Sequence, residues 1–287
     1  MKHTEFIVSP KKRLRLKERD TAATGKFTSE EAARKKIERD CEELARLQDM
    51  LLARESHGLL LIFQAMDGAG KDGTIKHVMS NADPQGCKAY NFKEPSDEEA
   101  KHDYLWRFHR EMPERGQIGV FNRSYYEEVL ITRIHKEKLD AQGLPAKLKG
   151  KDLWKRRYEE INSFEQYLVN NGILVLKFFL HLSKEKQRER LLERMELPEK
   201  KWKFSMTDIE DRKLWVDYMR MYEDVLNHTS TPYAPWYIVP ADHRWFTSLA
   251  VADIVVTKLK ELKLRYPQTS DEAEKDLTEA KRALESE

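Results

Sequence analysis

One stretch constrains the fold of this chain more than any other: Leu59-Leu60-Leu61-Ile62-Phe63-Gln64, followed by Ala65-Met66-Asp67-Gly68-Ala69-Gly70-Lys71-Asp72-Gly73-Thr74. A continuous apolar run of that length is the pattern of a strand covered on both faces. The glycines and lysine then open an amphipathic segment, Thr74-Ile75-Lys76-His77-Val78-Met79. Strand, glycine loop and helix in that order aim backbone N–H groups and a positive helix end at phosphate. Against the pattern G-x-x-x-x-G-K-[ST], Gly70 and Lys71 match, Ala65 replaces the first glycine, and Asp72 replaces the magnesium-binding Ser or Thr. A plain Asp- and Gly-rich turn would use similar residues, but strand context, Gly-Lys spacing and helix onset agree on phosphate binding. Gly68, Ala69, Gly70, Asp72, Gly73 and Thr74 form the predicted loop, with Asp72 also a favourable first-turn acid.

Asp67 puts a carboxylate inside this cradle, where it would repel a phosphate unless a cation lies between them. Mg²⁺ held by Asp67 resolves the repulsion and replaces the ligand that position 72 no longer offers. Mg²⁺ is therefore the expected cofactor.

Composition narrows the classes. Charged residues make up 36% of the 287 and apolar ones 40%, which suits a helix-rich globule rather than a disordered chain. No apolar run approaches the ~18 residues of a membrane span, and the Met-Lys-His-Thr-Glu start lacks a signal-peptide core, so a cytoplasmic location is expected. Cys41 and Cys87 have neither disulfide-framework nor metal-ligand spacing and read as reduced thiols. Net charge is only +2, yet basic residues cluster at Lys11–Lys17 and again between Lys184 and Lys213. The first cluster lacks interleaved aromatics and nucleic-acid motifs, so it reads as a solvated arm, with no nucleic-acid partner expected.

Periodicity gives an irregular arm over 1–27, then a capping box at Thr28-Ser29-Glu30-Glu31 opening a helix to about residue 56. Beyond the glycine loop come a strand at Cys87–Phe92, a helix at Asp97–Met112, a strand at Gln117–Phe121 and a helix at Ser124–His135. A helix at Lys151–Asn170 precedes a strand at Gly172–Leu182, and Ser183 caps the next helix. After a charged break at Pro198–Met206 come a helix at Asp208–His228, a strand at Trp236–Val239 and a helix at Trp245–Leu264. The tail is charged. This alternation predicts a doubly wound α/β domain with a parallel sheet and ligands at the carboxyl ends of the strands. The expected divisions are an arm and helix at 1–57, a P-loop domain at 58–265 with a lid at about 197–213, and a charged tail at 266–287.

That rule points to Asn122 and Arg123, which follow the strand at Gln117–Phe121, where P-loop kinases keep a second metal- or substrate-handling carboxylate. Asn122 is neutral; Arg123, and Arg133 about three helical turns on, are candidates for phosphate. Lys93-Glu94-Pro95, at the same level of the sheet, reads as a strand end. Arg194, Lys201, Lys203 and Arg212 surround the charged break. A solvated helix pair would show alternating charge, whereas Lys201-Trp202-Lys203 does not alternate. An arginine- and lysine-bearing lid that closes over a transferring phosphate fits it better. Thr231–Trp236 and Pro240-Ala241-Asp242 bracket the last strand and read as turns that place a loop near the base of the cradle.

Four blocks then resemble the polyphosphate kinase 2 family: Asp67–Gly73; Asn122-Arg123-Ser124-Tyr125-Tyr126 through Arg133; Trp202-Lys203-Phe204-Ser205 with Asp208 and Arg212; and Ala234-Pro235-Trp236 with Ala241-Asp242. They occupy roughly residues 55 to 260 in the family's order. The resemblance implies a thymidylate-kinase-like fold and phosphoryl transfer between inorganic polyphosphate and nucleotides. It implies that Asp67 and Lys71 handle Mg²⁺ and the transferring phosphates, that Arg123 and Arg133 bind phosphate, and that Lys201, Lys203 and Arg212 form the lid. Many members carry Asp where this chain has Asn122. That departure, with Tyr125-Tyr126-Glu127-Glu128, resembles the subgroup acting on AMP and ADP, with guanine nucleotides also admitted, and a homo-oligomer follows from the family's habit. The rival readings are an ATP-dependent nucleoside monophosphate kinase and a non-catalytic polyanion binder, for which Asp67 in the cradle has little use.

Overall fold

The computed structural model describes residues 1–287. Five strands form one parallel sheet: β1 (Gly58–Gln64), β2 (Cys87–Asn91), β3 (Ile118–Asn122), β4 (Ile173–His181) and β5 (Trp236–Pro240). Their spatial order is β2-β3-β1-β4-β5, which puts β1 at the centre with Ile62 between Phe121 and Lys177. Every β1 residue is buried, as an apolar run covered on both faces requires. The chain winds one way from β1 to β3 and β2, and the other way to β4 and β5, so a crevice opens where the order reverses, at the carboxyl end of β1.

The helices are α1 (Glu30–Arg54), α2 (Lys71–Val78), α3 (Trp106–His109), α4 (Glu127–Ile134), α5 (Lys136–Ala141), α6 (Leu153–Asn170), α7 (Lys184–Glu196), α8 (Pro198–Lys201), α9 (Met206–Lys213), α10 (Trp215–Thr229), α11 (Arg244–Glu261) and α12 (Asp271–Glu285). On one face of the sheet α1, α2 and α11 bury Leu59, Leu61, Phe63, Phe178 and Tyr237. On the other, α4, α6 and α10 cover Leu60, Ile62, Phe121, Phe179 and Trp236. This alternation of side chains along each strand divides the interior into two cores.

Several expectations need correction. The helix expected over Asp97–Met112 is only a turn at Glu99–Lys101 and the four residues of α3. His102 is extended, and Asp103 Oδ1 accepts the N–H of Leu105 at 2.9 Å, so a local turn breaks the run. Phe108 then packs against Phe92 rather than along a helix stripe. The helix expected from Asp208 is broken at Leu214 between α9 and α10. The cap of α1 is Ser29, the second residue of the expected capping box, and its hydroxyl accepts the N–H of Ala32.

The N-terminal arm is irregular and its basic side chains are solvated, but its backbone and a few apolar side chains are docked on the domain. Val8 N–H donates to the Trp236 carbonyl and Ile238 N–H to the Phe6 carbonyl, so the arm bridges the β5 edge. Leu14 and Leu16 are buried, their N–H groups held at 2.8 Å by Asn227 Oδ1 and Glu223 Oε2. Lys11, Lys12, Arg13, Arg15 and Lys17 remain exposed. The arm covers an edge that would otherwise offer unpaired backbone groups. α1 buries one face against α11 through Ile37, Leu44 and Leu51. No residue of α12 is buried.

Candidate active site

The loop after β1 turns twice through left-handed backbone, at Gly68 (φ +82°) and Gly70 (φ +97°), and Gly70 caps α2. Side chains resist that conformation, which explains glycine at both positions. Lys71 is the first residue of α2 and its side chain turns back under the loop: Nζ donates to the Ala65 carbonyl at 3.0 Å and lies 3.9 Å from Asp67 Oδ1. Burial lowers its pKa against the pull of Asp67. Asp67 also takes the Arg123 guanidinium on Oδ1 at 3.0 Å. Burial alone would raise its carboxyl, but Lys71 and Arg123 outweigh that and hold it below the usual carboxylate range.

Arg123 itself sits at the carboxyl end of β3 with φ +67°. Burial opposes its charge, but Glu127 and Asp67 more than offset this and raise its pKa. Asn122 donates through Nδ2 to Asp72 Oδ1 at 2.8 Å, while its buried Oδ1 has no partner. The other oxygen of Asp72 accepts Lys203 Nζ at 2.8 Å. Lys203 thus carries the charged break onto the first turn of α2.

The other residues expected in the lid divide. Arg194 holds Asp208 at 2.6 Å. Burial and the nearby Asp67 push the Asp208 carboxyl up to about 6 in spite of that pairing. Arg212 donates to the Lys184 carbonyl at 2.7 Å and to Gln187 Oε1 at 2.9 Å, and Gln187 Nε2 donates to the Asp67 carbonyl at 2.9 Å. Lys201 is exposed, and Trp202 beside it is 77% exposed. Arg133 is not brought to the cradle. It pairs with Asp224 at 2.6 Å, bonds the Tyr158 hydroxyl and stacks on Trp154, outside the residues that line the cleft.

That cleft has a volume of about 1160 Å³ and is lined by Asp67, Arg123 and Glu127, by Phe92, Arg107 and Arg157, and by Ser205 and Asp208 of the expected lid. Lys93 accepts Arg107 on its carbonyl, and Glu94 pairs with Lys138, so this strand end also borders the cleft. Sequence reasoning missed three contributors. Arg190 donates to the carbonyls of Gly68 (3.0 Å) and Ala69 (2.9 Å) and to those of Ala241 (2.7 Å) and Asp242 (3.0 Å), clipping the loop to the end of β5. The inward spacing of Gln187, Arg190 and Leu191 on α7 was the available signal. Glu127 and Gln187 were the others, and burial raises the Glu127 carboxyl. The turn at Thr231–Pro235 lies at the amino end of β5, opposite the cradle, so only Ala241-Asp242 reach the loop.

No helix is long and apolar enough to cross a membrane. The family model described as Polyphosphate kinase 2 (PPK2) matches residues 27–267. The chain is 45% identical over 285 residues to the ADP-polyphosphate phosphotransferase of Rhodopseudomonas palustris, covering 99% of each. It is 40% identical over 276 residues to the AMP/ADP-polyphosphate phosphotransferase of Meiothermus ruber, covering 96% of this chain and 99% of the relative. The crystal structure of Polyphosphate Kinase 2 from Arthrobacter aurescens superposes with a TM-score of 0.86 at 36% identity, over 95% of this chain and 94% of that one. A central strand running into a Gly-Lys loop, the P-loop kinase-like sheet around it and these matches lead to one conclusion: the chain belongs to the polyphosphate kinase 2 family.

Proposed function

We propose that this chain transfers phosphoryl groups from inorganic polyphosphate to AMP and ADP, reversibly in principle and with Mg²⁺ as cofactor. The observation that carries the reading is the cradle itself: Lys71 and Arg123 converge on the single carboxylate of Asp67, and Lys203 reaches the same loop from the lid. Phosphoryl transfer of this kind asks for positioning and charge neutralisation rather than covalent chemistry by the protein. The loop N–H groups and the start of α2 hold phosphate oxygens. Lys71 and Arg123 offset charge that develops on the transferring group, and the basic lid, Lys201 included, follows the polyanionic donor. The acceptor nucleotide occupies the cleft beyond Arg123, with room for its base between the Phe92 side and Arg157.

The residues present fit Mg²⁺. Asp67 makes its protein contacts through Oδ1, and Asn122 Oδ1 is a buried oxygen without a partner. No group of three or more His, Cys, Asp or Glu side chains forms a cage, as suits an ion bound by one or two protein oxygens and substrate phosphates. When bound, Mg²⁺ supplies charge neutralisation on those phosphates. The neutral Asn122 leaves an acceptor phosphate free of the repulsion an aspartate would add, which supports use of both AMP and ADP. The test is incubation of AMP or ADP with polyphosphate and Mg²⁺ in the absence of ATP. Formation of ADP and ATP is the expected result; activity only when ATP is the donor to AMP would replace this reading with a nucleoside monophosphate kinase.

A further inference from the structure

The two most deeply buried charges in the molecule belong to no step above. Lys177, in the middle of β4, and Glu165 of α6 have no exposed side-chain surface and pair at 2.6 Å. Taking an ammonium and a carboxylate out of water costs several kcal/mol each, and well-packed apolar residues often serve stability as well. What the pair does is tie α10 and the β3–α4 corner to β4 and α6. Lys177 Nζ donates to the Thr229 carbonyl at the end of α10 (2.7 Å) and to the Tyr126 hydroxyl (2.9 Å). Tyr125 and Tyr126 both donate their hydroxyls to Glu165 Oε1, at 2.8 and 2.7 Å.

Those tyrosines follow Arg123 almost directly, and Arg123 has the left-handed backbone at φ +67°. For a residue other than glycine such a conformation is strained and persists only where the surroundings over-determine it. Here they do. The Arg123 N–H donates to the Phe63 carbonyl at 3.1 Å, and Ser124 Oγ accepts Gln64 Nε2 at 3.2 Å. Next along the chain, the two phenols are pinned to one carboxylate.

We propose that Glu165, acting through the Tyr125 and Tyr126 hydroxyls, is a positioning residue that holds the β3–α4 corner so that Arg123 meets Asp67 and the transferring phosphate. This rests on the reading of Arg123 as a phosphate-binding residue given above. Tyr125→Phe with Tyr126→Phe removes both hydroxyls while keeping the rings, and leaves Glu165 Oε1 without a donor. The expected result is a fall of about tenfold in kcat with KM for ADP changed by less than about twofold, because a displaced Arg123 weakens an interaction made in the transition state.

The test is a double-mutant cycle on the full chain: wild type, the Tyr-to-Phe pair, Arg123→Ala, and the combination, each assayed for kcat and thermal midpoint. In the Arg123→Ala background the tyrosine pair should have no further effect on kcat, whereas its effect on the midpoint should be the same in both backgrounds. An equal fall in kcat in both backgrounds, or no fall in either, overturns the positioning role. Wild-type turnover in Arg123→Ala instead overturns the reading of Arg123, so the two failures are distinct. Should the pair fail to fold, Tyr125→Phe alone, which leaves Tyr126 bound to Glu165 and Lys177, carries the same cycle with an expected fall of about threefold.

Discussion

Replacing Lys71 with methionine should separate folding from chemistry in this cradle. The side chain is only 8% exposed, and its ammonium has one hydrogen bond, to the Ala65 carbonyl, with Asp67 Oδ1 at 3.9 Å. A hydrogen bond to a charged group contributes about 1.5–3 kcal/mol, but burial of the ammonium opposes it, in the direction that lowers the Lys71 pKa. The net change in stability of the free protein should therefore stay within about 2 kcal/mol. Turnover should fall by about 10²–10³, equivalent to about 2.7–4 kcal/mol, the scale of losing one charge stabiliser at the transferring group. Methionine keeps the unbranched apolar stem, so the packing under the loop survives. The assay is ATP formed from ADP, polyphosphate and Mg²⁺, beside a thermal melt of the same preparation. A folded variant that keeps more than about a third of wild-type turnover would refute the role given to Lys71.

Other substitutions test the neighbouring roles. Asp67→Asn should raise the Mg²⁺ concentration for half-maximal rate by about tenfold or more; an unchanged metal dependence with activity retained places the ion elsewhere. With Asn122 neutral, AMP and ADP should both be phosphorylated, and Asn122→Asp should depress use of AMP; ADP as sole acceptor of the unaltered chain counts against this. Lys201→Ala with Lys203→Ala should weaken apparent polyphosphate affinity more than nucleotide affinity and flatten its salt dependence, since exposed charges are screened over ~10 Å at 0.1 M salt. A change confined to the nucleotide KM would move those lysines to the acceptor side.

The central strand and its loop were legible because local signals coincided: an apolar run, glycines at 68 and 70 where the backbone turns left-handed, and a lysine at the helix start. Strand ends at Asn122 and Asp242 followed from the alternation of elements. What escaped was decided by partners remote in sequence. Arg133 is one residue type at one helix position, and only Asp224, 91 residues away, settles where it goes. Arg190 reads only as part of the basic cluster between Lys184 and Lys213, because the four carbonyls it binds carry no sequence signature. In the arm, the density of lysine and arginine hid the inward alternation of Leu14 and Leu16, whose burial depends on α10. Asp97–Met112 has helical composition, yet aromatic packing around Phe92, Phe108 and Phe121 and the turn at Asp103 override it.

The decisive measurement follows the phosphoryl group itself. Polyphosphate carrying radioactive phosphorus is incubated with unlabelled ADP, Mg²⁺ and the purified chain, and the nucleotides are separated. If polyphosphate is the donor, label appears in ATP in step with its loss from polyphosphate, without AMP accumulating, and the Lys71→Met protein forms little of it. Unlabelled ATP accompanied by an equal amount of AMP would mean that two ADP molecules had exchanged a phosphate, and would contradict polyphosphate as the donor.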